Sequence, residues 1–372
     1  MPRIRRRFLL DPAEVGVYHC INRCVRRSFL CGNDPVSGQC YDHRKRWIQD
    51  RIQFLAGQFG VDVLGFAVMS NHIHVILRNR PDIVQNWSDT DLARRWWNLF
   101  PKRRDNDGNA LEPTDAELQM ITLDAERLAA IRQQLSSVSW FMRCLVEPIA
   151  RSANREDQCR GRFWEGRYKC VPILDESALA ACMAYVDLNP IRARIAQTPE
   201  TSPFTSVYER VQALGHRMAE AIADAAIQPA SMAPESDHHP EMEGTSTLAA
   251  STTAPAEWLS PFELSEASEH APVPCARVSN KGCLPMSFAE YLNLLDWTGR
   301  QLRADKRGAI PQDLAPILER MQISGEGWMQ LMGQFSRLFR RAAGRPQSMQ
   351  REREQRGCQV MQGIRHSRAV FV

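Results

Sequence analysis

Residues 61–77, VDVLGFAVMSNHIHVIL, restrict this chain more than any other stretch of its sequence. Two runs rich in Val, Leu, Ile and Phe, Val61–Met69 and His72–Leu77, flank the polar pair Ser70–Asn71. That arrangement predicts two strands joined by a tight turn. A third strand is expected at Val15–Cys24, where VGVYHCINRC alternates, and a short fourth at Tyr168–Ile173, with Pro172 marking an edge or an end. Tyr41–Gly60 places Trp47, Ile48, Ile52, Leu55 and Phe59 near helical spacing and ends on glycine. Ser137–Asn154 also reads as a helix, which Pro148 is expected to kink or divide. A last helix, Ser177–Leu188, enters through Asp175 or Ser177 and stops at Asn189–Pro190.

The resulting order, β-α-β-β-α-β and a further helix, is the ferredoxin-like pattern. The expected class is therefore α+β, an antiparallel sheet with helices on one face. Residues 81–135 interrupt the pattern with an insertion carrying Trp87, Trp96 and Trp97, for which the sequence suggests no role.

At 372 residues the chain is long enough for two or three domains. Its net charge is only +4, but the charge is segregated. Residues 218–276 hold no Lys or Arg against ten Asp or Glu, whereas residues 300–372 hold fourteen Arg or Lys against six acids. Arg3, Arg5, Arg6 and Arg7 add to the basic N-terminus. Basic ends around an acidic middle point to a polyanionic partner, with solvated charge as the alternative. The division expected is residues 1–215, an acidic Ala/Ser/Thr/Pro-rich linker at 216–276, and a basic, small helical module at 277–372. In that module WMQLMGQFSRLFRRAAGR is amphipathic and bears Arg337, Arg340 and Arg341, suited to DNA or to protein contact.

No stretch approaches the roughly 18–20 apolar residues of a membrane span. The N-terminus has only a short apolar run and no signal-type cleavage site, which reads against secretion. Eleven cysteines at scattered spacings argue for reduced thiols and a cytoplasmic location. Cys20, Cys24, Cys31 and Cys40 cluster without a standard zinc spacing and read as structural thiols.

Three groups of residues carry candidate chemistry. His72 and His74 are two apart in a strand, so both imidazoles share a face, a partial site for a divalent metal; structural histidines are the competing reading. In the last helix Leu179, Met183 and Val186 form the apolar stripe, and Tyr185 falls roughly 130° from its centre. Asn189 lies one turn beyond Tyr185 on the same face, although an Asn before Pro also serves simply to end a helix. Between these groups Arg155, Arg160, Arg162, Arg167 and Lys169 interleave with Phe163, Trp164 and Tyr168. Cations for phosphates beside rings for unpaired bases suit a single-strand groove; a basic hairpin with aromatic core anchors is the alternative.

The ordered set YHCINRC, GFAVMSNHIHVIL, GRFWEGRYK and YVDLNPIRA resembles the single-tyrosine HUH transposases, in particular the REP-associated tyrosine transposases. The resemblance spans Tyr18–Ile195 apart from the insertion. It implies an HUH nuclease fold in which His72 and His74 hold Mg2+ or Mn2+, with Asn189 as a supporting ligand. It also implies Tyr185 as a nucleophile that nicks and rejoins DNA through a 5′-phosphotyrosine bond. The implied partner is single-stranded or hairpin DNA, gripped by Arg160, Arg162, Arg167 and Lys169 and stacked on Trp164 or Tyr168. No membrane is implied, and a homodimer stays open. The chain departs from the family's compact pattern in its long insertion and its C-terminal block. Two rivals remain: a domesticated, non-catalytic DNA-binding regulator on the same fold, and a metal-dependent hydrolase of small phosphates.

Overall fold

The computed structural model describes residues 12–25, 30–32, 38–106, 108, 110–227, 256–264, 276–303, 318–319 and 321–371. The N-terminal arginines, His238, His239 and most of the acidic stretch lie outside these residues. The fold is α+β. Its sheet has four strands, β1 (Val17–Arg23), β2 (Val61–Val68), β3 (His72–Asn79) and β4 (Lys169–Ile173), in the order β2-β3-β1-β4 with every pair antiparallel. The order along the chain is β1, helix α1 (His43–Gln58), β2, β3, the inserted helices, helix α6 (Val138–Glu156), β4 and helix α7 (Glu176–Asp187). The insertion folds as α2 (Pro81–Gln85), α3 (Asp89–Leu99), α4 (Asp115–Thr122) and α5 (Ala125–Leu135). Thr114 and Glu117 close a reciprocal capping box at the start of α4.

Helices cover both faces of the sheet, not one as the sequence suggested. Tyr18, Cys20, Ile73, Val75 and Leu77 point to a core shared with Ile48, Ile52 and Leu55 of α1 and Phe141 and Leu145 of α6. Ala67, Ile76, Val171 and Ile173 point the other way, into a core with Leu179, Met183 and Val186 of α7. Strand β2 is buried along its whole length, which explains its unbroken apolar run. The one acid in it, Asp62, is buried and meets Arg78 at 2.7 Å and Arg80 at 3.5 Å.

The second core is completed from the C-terminal part of the chain. After α8 (Asn189–Arg192) and α9 (Ser206–Ile227) come α10 (Phe288–Arg303), α11 (Gly325–Leu338), α12 (Pro346–Gln355) and α13 (Ile364–Val370). Leu294, Leu331 and Phe335 join the α7 core, so these helices share a core with the sheet's second face. Two pieces of the expected linker are structured as well. Helix α9 runs on to Ile227, and Trp258 and Leu259 are buried, with the Trp258 ring 5.2 Å from Phe66.

Pro148 neither divides α6 nor ends it; one helix runs from Val138 to Glu156. The missing Pro148 N–H leaves the Cys144 carbonyl, four residues earlier, without its helical donor. Arg51 Nε from α1 donates to that oxygen at 3.0 Å. A guanidinium from the neighbouring helix thus replaces the lost backbone bond.

Candidate functional site

Strand register assembles the site. In the β1–β3 pair Ile21 lies opposite His74, Arg23 opposite His72 and His19 opposite Ile76. Side chains alternate along a strand. His19, His72 and His74 therefore stand on the face that α7 covers. His19 and His74 are diagonal neighbours with His19 Nε2 2.8 Å from His74 Nδ1, and the His72 and His74 rings are 4.9 Å apart. His72 Nδ1 is also 2.7 Å from Asn71 Oδ1.

Burial keeps all three imidazoles neutral at ordinary pH. It is the main cause in each case: His19 is lowered to about 3, with His72 a second cause, and His72 to about 4, with Arg23 a second cause. His74 is held well below its ordinary value, first by burial and then by His19, His72, Arg192 and Arg23. His74 Nε2 is buried and has no hydrogen-bond partner. If His74 Nδ1–H donates to His19, the unpartnered Nε2 carries a lone pair, the state in which imidazole binds a metal. The two neutral imidazoles fit the nitrogen part of a divalent site. Among the described residues no group of three or more His, Cys, Asp or Glu could hold an ion, so further ligands would come from water or a substrate oxygen.

Tyr185 is presented to these rings by α7. Asp175 caps the helix, accepting from Ala178 N–H at 2.9 Å. At its other end buried Asp187 accepts from Tyr291 Oη at 2.7 Å, Ser206 Oγ at 2.7 Å and Val207 N–H at 3.2 Å. Burial raises the Asp187 carboxyl above its ordinary range despite these donors. The Tyr185 ring lies 6.0 Å from the His74 ring and 6.4 Å from His19, edge-on to both. Its hydroxyl is 3.0 Å from Ser336 Oγ, and Phe335 packs 5.5 Å from the ring. Every residue from Ser177 to Asp187 is buried. The stripe read from the sequence is therefore only half of the helix's packing, because α11 covers the other side.

Asn189 is the first residue of α8. It is buried, lies outside the cleft lining, and its Oδ1 accepts from Arg192 at 3.3 Å. Arg192 also sits 4.6 Å over the Tyr185 ring. That guanidinium is what α8 places against the Tyr185 ring.

The histidines and Tyr185 line a cleft of about 1370 Å³. Its walls carry six cations, Arg23, Arg167, Lys169, Arg337, Arg340 and Arg341, against one acid, Glu165. Arg160 and Arg162 are exposed but do not line it. Of the two expected stacking rings, Tyr168 lines the cleft and Trp164 does not. Both are buried, with Trp164 Nε1 donating to the Val146 carbonyl at 2.9 Å and Tyr168 Oη 3.0 Å from Ser139 Oγ.

Sequence reasoning missed His19, Ser336 and Arg192. His19 was within reach, since in VYHCINR it shares a face with Ile21 and Arg23, but nothing local tells that this face meets His74. Ser336 carries no signal at all, because its partner is supplied by the tertiary fold.

No family model matches this chain, and no curated protein matches it. Among solved structures, one described as a REP-associated tyrosine transposase bound to a REP hairpin is similar. It shares 10% identity, with 66% of this chain and 100% of that chain covered, at a TM-score of 0.31. Similarity at that level fixes neither a fold family nor a function. No helix among the described residues is long and apolar enough to cross a membrane.

Proposed function

We propose that the cleft nicks and rejoins single-stranded or hairpin DNA, on a ferredoxin-like sheet of the HUH single-tyrosine type and as in REP-associated tyrosine transposases. The observation that carries this reading is the placement of Tyr185 beside the His72–His74 pair in a basic cleft. The chain order β-α-β-β-α-β and the sheet order β2-β3-β1-β4 support the fold assignment.

The Tyr185 phenolic oxygen attacks a DNA phosphorus atom and loses its proton. A bond from Tyr185 Oη to phosphorus forms as the P–O3′ bond breaks; the P–O5′ bond is kept, and the 3′ oxygen leaves as a hydroxyl after taking up a proton. Because the phosphodiester is exchanged and not hydrolysed, a second 3′ hydroxyl can reverse the step without ATP. Arg23, Arg167 and Lys169 hold the backbone by charge. Arg192 and Phe335 fix the Tyr185 ring, and Ser336 fixes the direction of its hydroxyl. Mg2+ or Mn2+ held by His72 and His74 would act as a Lewis acid on a non-bridging phosphate oxygen.

The test is incubation of the purified protein with manganese and an end-labelled single-stranded oligonucleotide, followed by a denaturing gel. A labelled, covalently shifted protein band is expected, absent for Tyr185→Phe while DNA binding persists. A band of unchanged intensity from that variant removes Tyr185 from the role.

A second reading, a DNA-binding regulator without chemistry, draws on Asn189 Oδ1 accepting from Arg192 and on Asn189 lying outside the cleft lining. It predicts full DNA affinity, no covalent band under any divalent ion, and no change on His72→Ala with His74→Ala.

A further inference from the structure

The cations expected from the sequence come from the β4 side of the cleft; the facing wall is built by a segment near the end of the chain. Inside α11 the helical backbone breaks at Gln334, with φ −140° and ψ 16°, just before Phe335 and Ser336 meet Tyr185. The chain then leaves the helix and reaches the sheet. Ala343 N–H donates to the Pro172 carbonyl at 2.9 Å, Leu174 N–H donates back to Ala343 at 2.8 Å, and Ala343 pairs in parallel with Ile173. Residues 337–341 are thus strung between two fixed points, one on the Tyr185 ring and one on β4.

Arg337 and Arg340 are exposed and Arg341 is half-buried, all three lining the cleft. Among the described residues none of the three is in an ion pair, although the same structure pairs Arg44, Arg78, Arg80 and Arg103 with carboxylates. Three guanidiniums lining one cleft raise its positive potential, which favours entry of a polyanion. Guanidinium is also the side chain whose planar fork matches phosphate oxygens.

We propose that residues 337–341 form a second phosphate-gripping jaw. Single-stranded DNA would run between this jaw and the Arg167–Lys169 side, bringing a phosphate to Tyr185. The inference rests on the DNA-processing reading and adds the partner's second contact surface to it.

The experiment measures binding of a fluorescent single-stranded oligonucleotide to the full chain by anisotropy over a range of KCl concentrations. It compares wild type, R337A/R340A/R341A, and R167A/K169A. Three lost phosphate contacts should lower the slope of log Kd against log salt by about 2 and weaken binding by about tenfold or more. If the triple variant melts early, Arg337→Ala and Arg340→Ala singly, each expected to lower the slope by about 0.7, take its place. A triple variant that binds as wild type while R167A/K169A is weakened overturns the jaw and leaves the DNA reading standing. A wild-type protein that ignores the oligonucleotide, or binds polyglutamate equally well, overturns both.

Discussion

The hydroxyl of Tyr185 lies 3.0 Å from Ser336 Oγ, a contact between residues 151 positions apart in the chain. The helix that carries the candidate nucleophile is therefore seated by the C-terminal part of the protein. Ser336→Ala removes one hydrogen bond, worth about 1 kcal/mol. The expected result is an adduct rate about fivefold lower with Kd for DNA unchanged, read from single-turnover gels and anisotropy. An unchanged rate would show that the contact is incidental.

Tyr291→Phe should destabilise the fold without touching the cleft. It strips buried Asp187 Oδ2 of its 2.7 Å donor and leaves a raised-pKa carboxyl partly unpartnered. Losing one partner of a buried polar group costs about 1–3 kcal/mol. Urea unfolding should show the midpoint fall with an unchanged slope.

Asp62→Ala should cost more. Asp62 faces Arg78 and Arg80, and Arg78 also donates to the Lys281 and Gly282 carbonyls at 2.6 and 2.8 Å. Removing the acid leaves buried guanidinium charge uncompensated, at about 3–5 kcal/mol. Asp62→Asn, which keeps an acceptor, should recover part of that loss in the same unfolding assay.

Stability should fall with acid in a defined window. His19 is held at about 3 and His72 at about 4, each below the ordinary 6.5 mainly through burial, and His74 is shifted the same way. The unfolded chain therefore binds these protons first. The stability they protect is complete above pH 6.5 and is lost as pH falls through the window towards the folded values. The slope is about 1.4 kcal/mol per pH unit for each such group. Urea midpoints in chelator between pH 7.5 and 4.5 should decline, and His19→Gln should flatten the decline. A flat wild-type profile would contradict the burial of these rings.

The sheet was legible because its strands are apolar and bounded by clear punctuation. The expected Val61–Met69 and His72–Leu77 became Val61–Val68 and His72–Asn79. What the sequence hid is long-range. Trp164 and Tyr168 can be read as stacking rings or as core anchors, and their burial and bonds to Val146 and Ser139 are supplied by another helix. Pro148 carries a local breaking signal that Arg51, from another helix, cancels. Tyr185 falls off the local apolar stripe, yet it is buried because Phe335 arrives from α11.

The most direct test of the central claim is peptide mapping of the protein trapped on a suicide oligonucleotide. The chain contains six tyrosines, so the linked peptide identifies the nucleophile without ambiguity. The predicted result is a nucleotide mass on the peptide bearing Tyr185. That mass on a peptide carrying Tyr18, Tyr41, Tyr168, Tyr208 or Tyr291, with the Tyr185 peptide unmodified, would contradict the account.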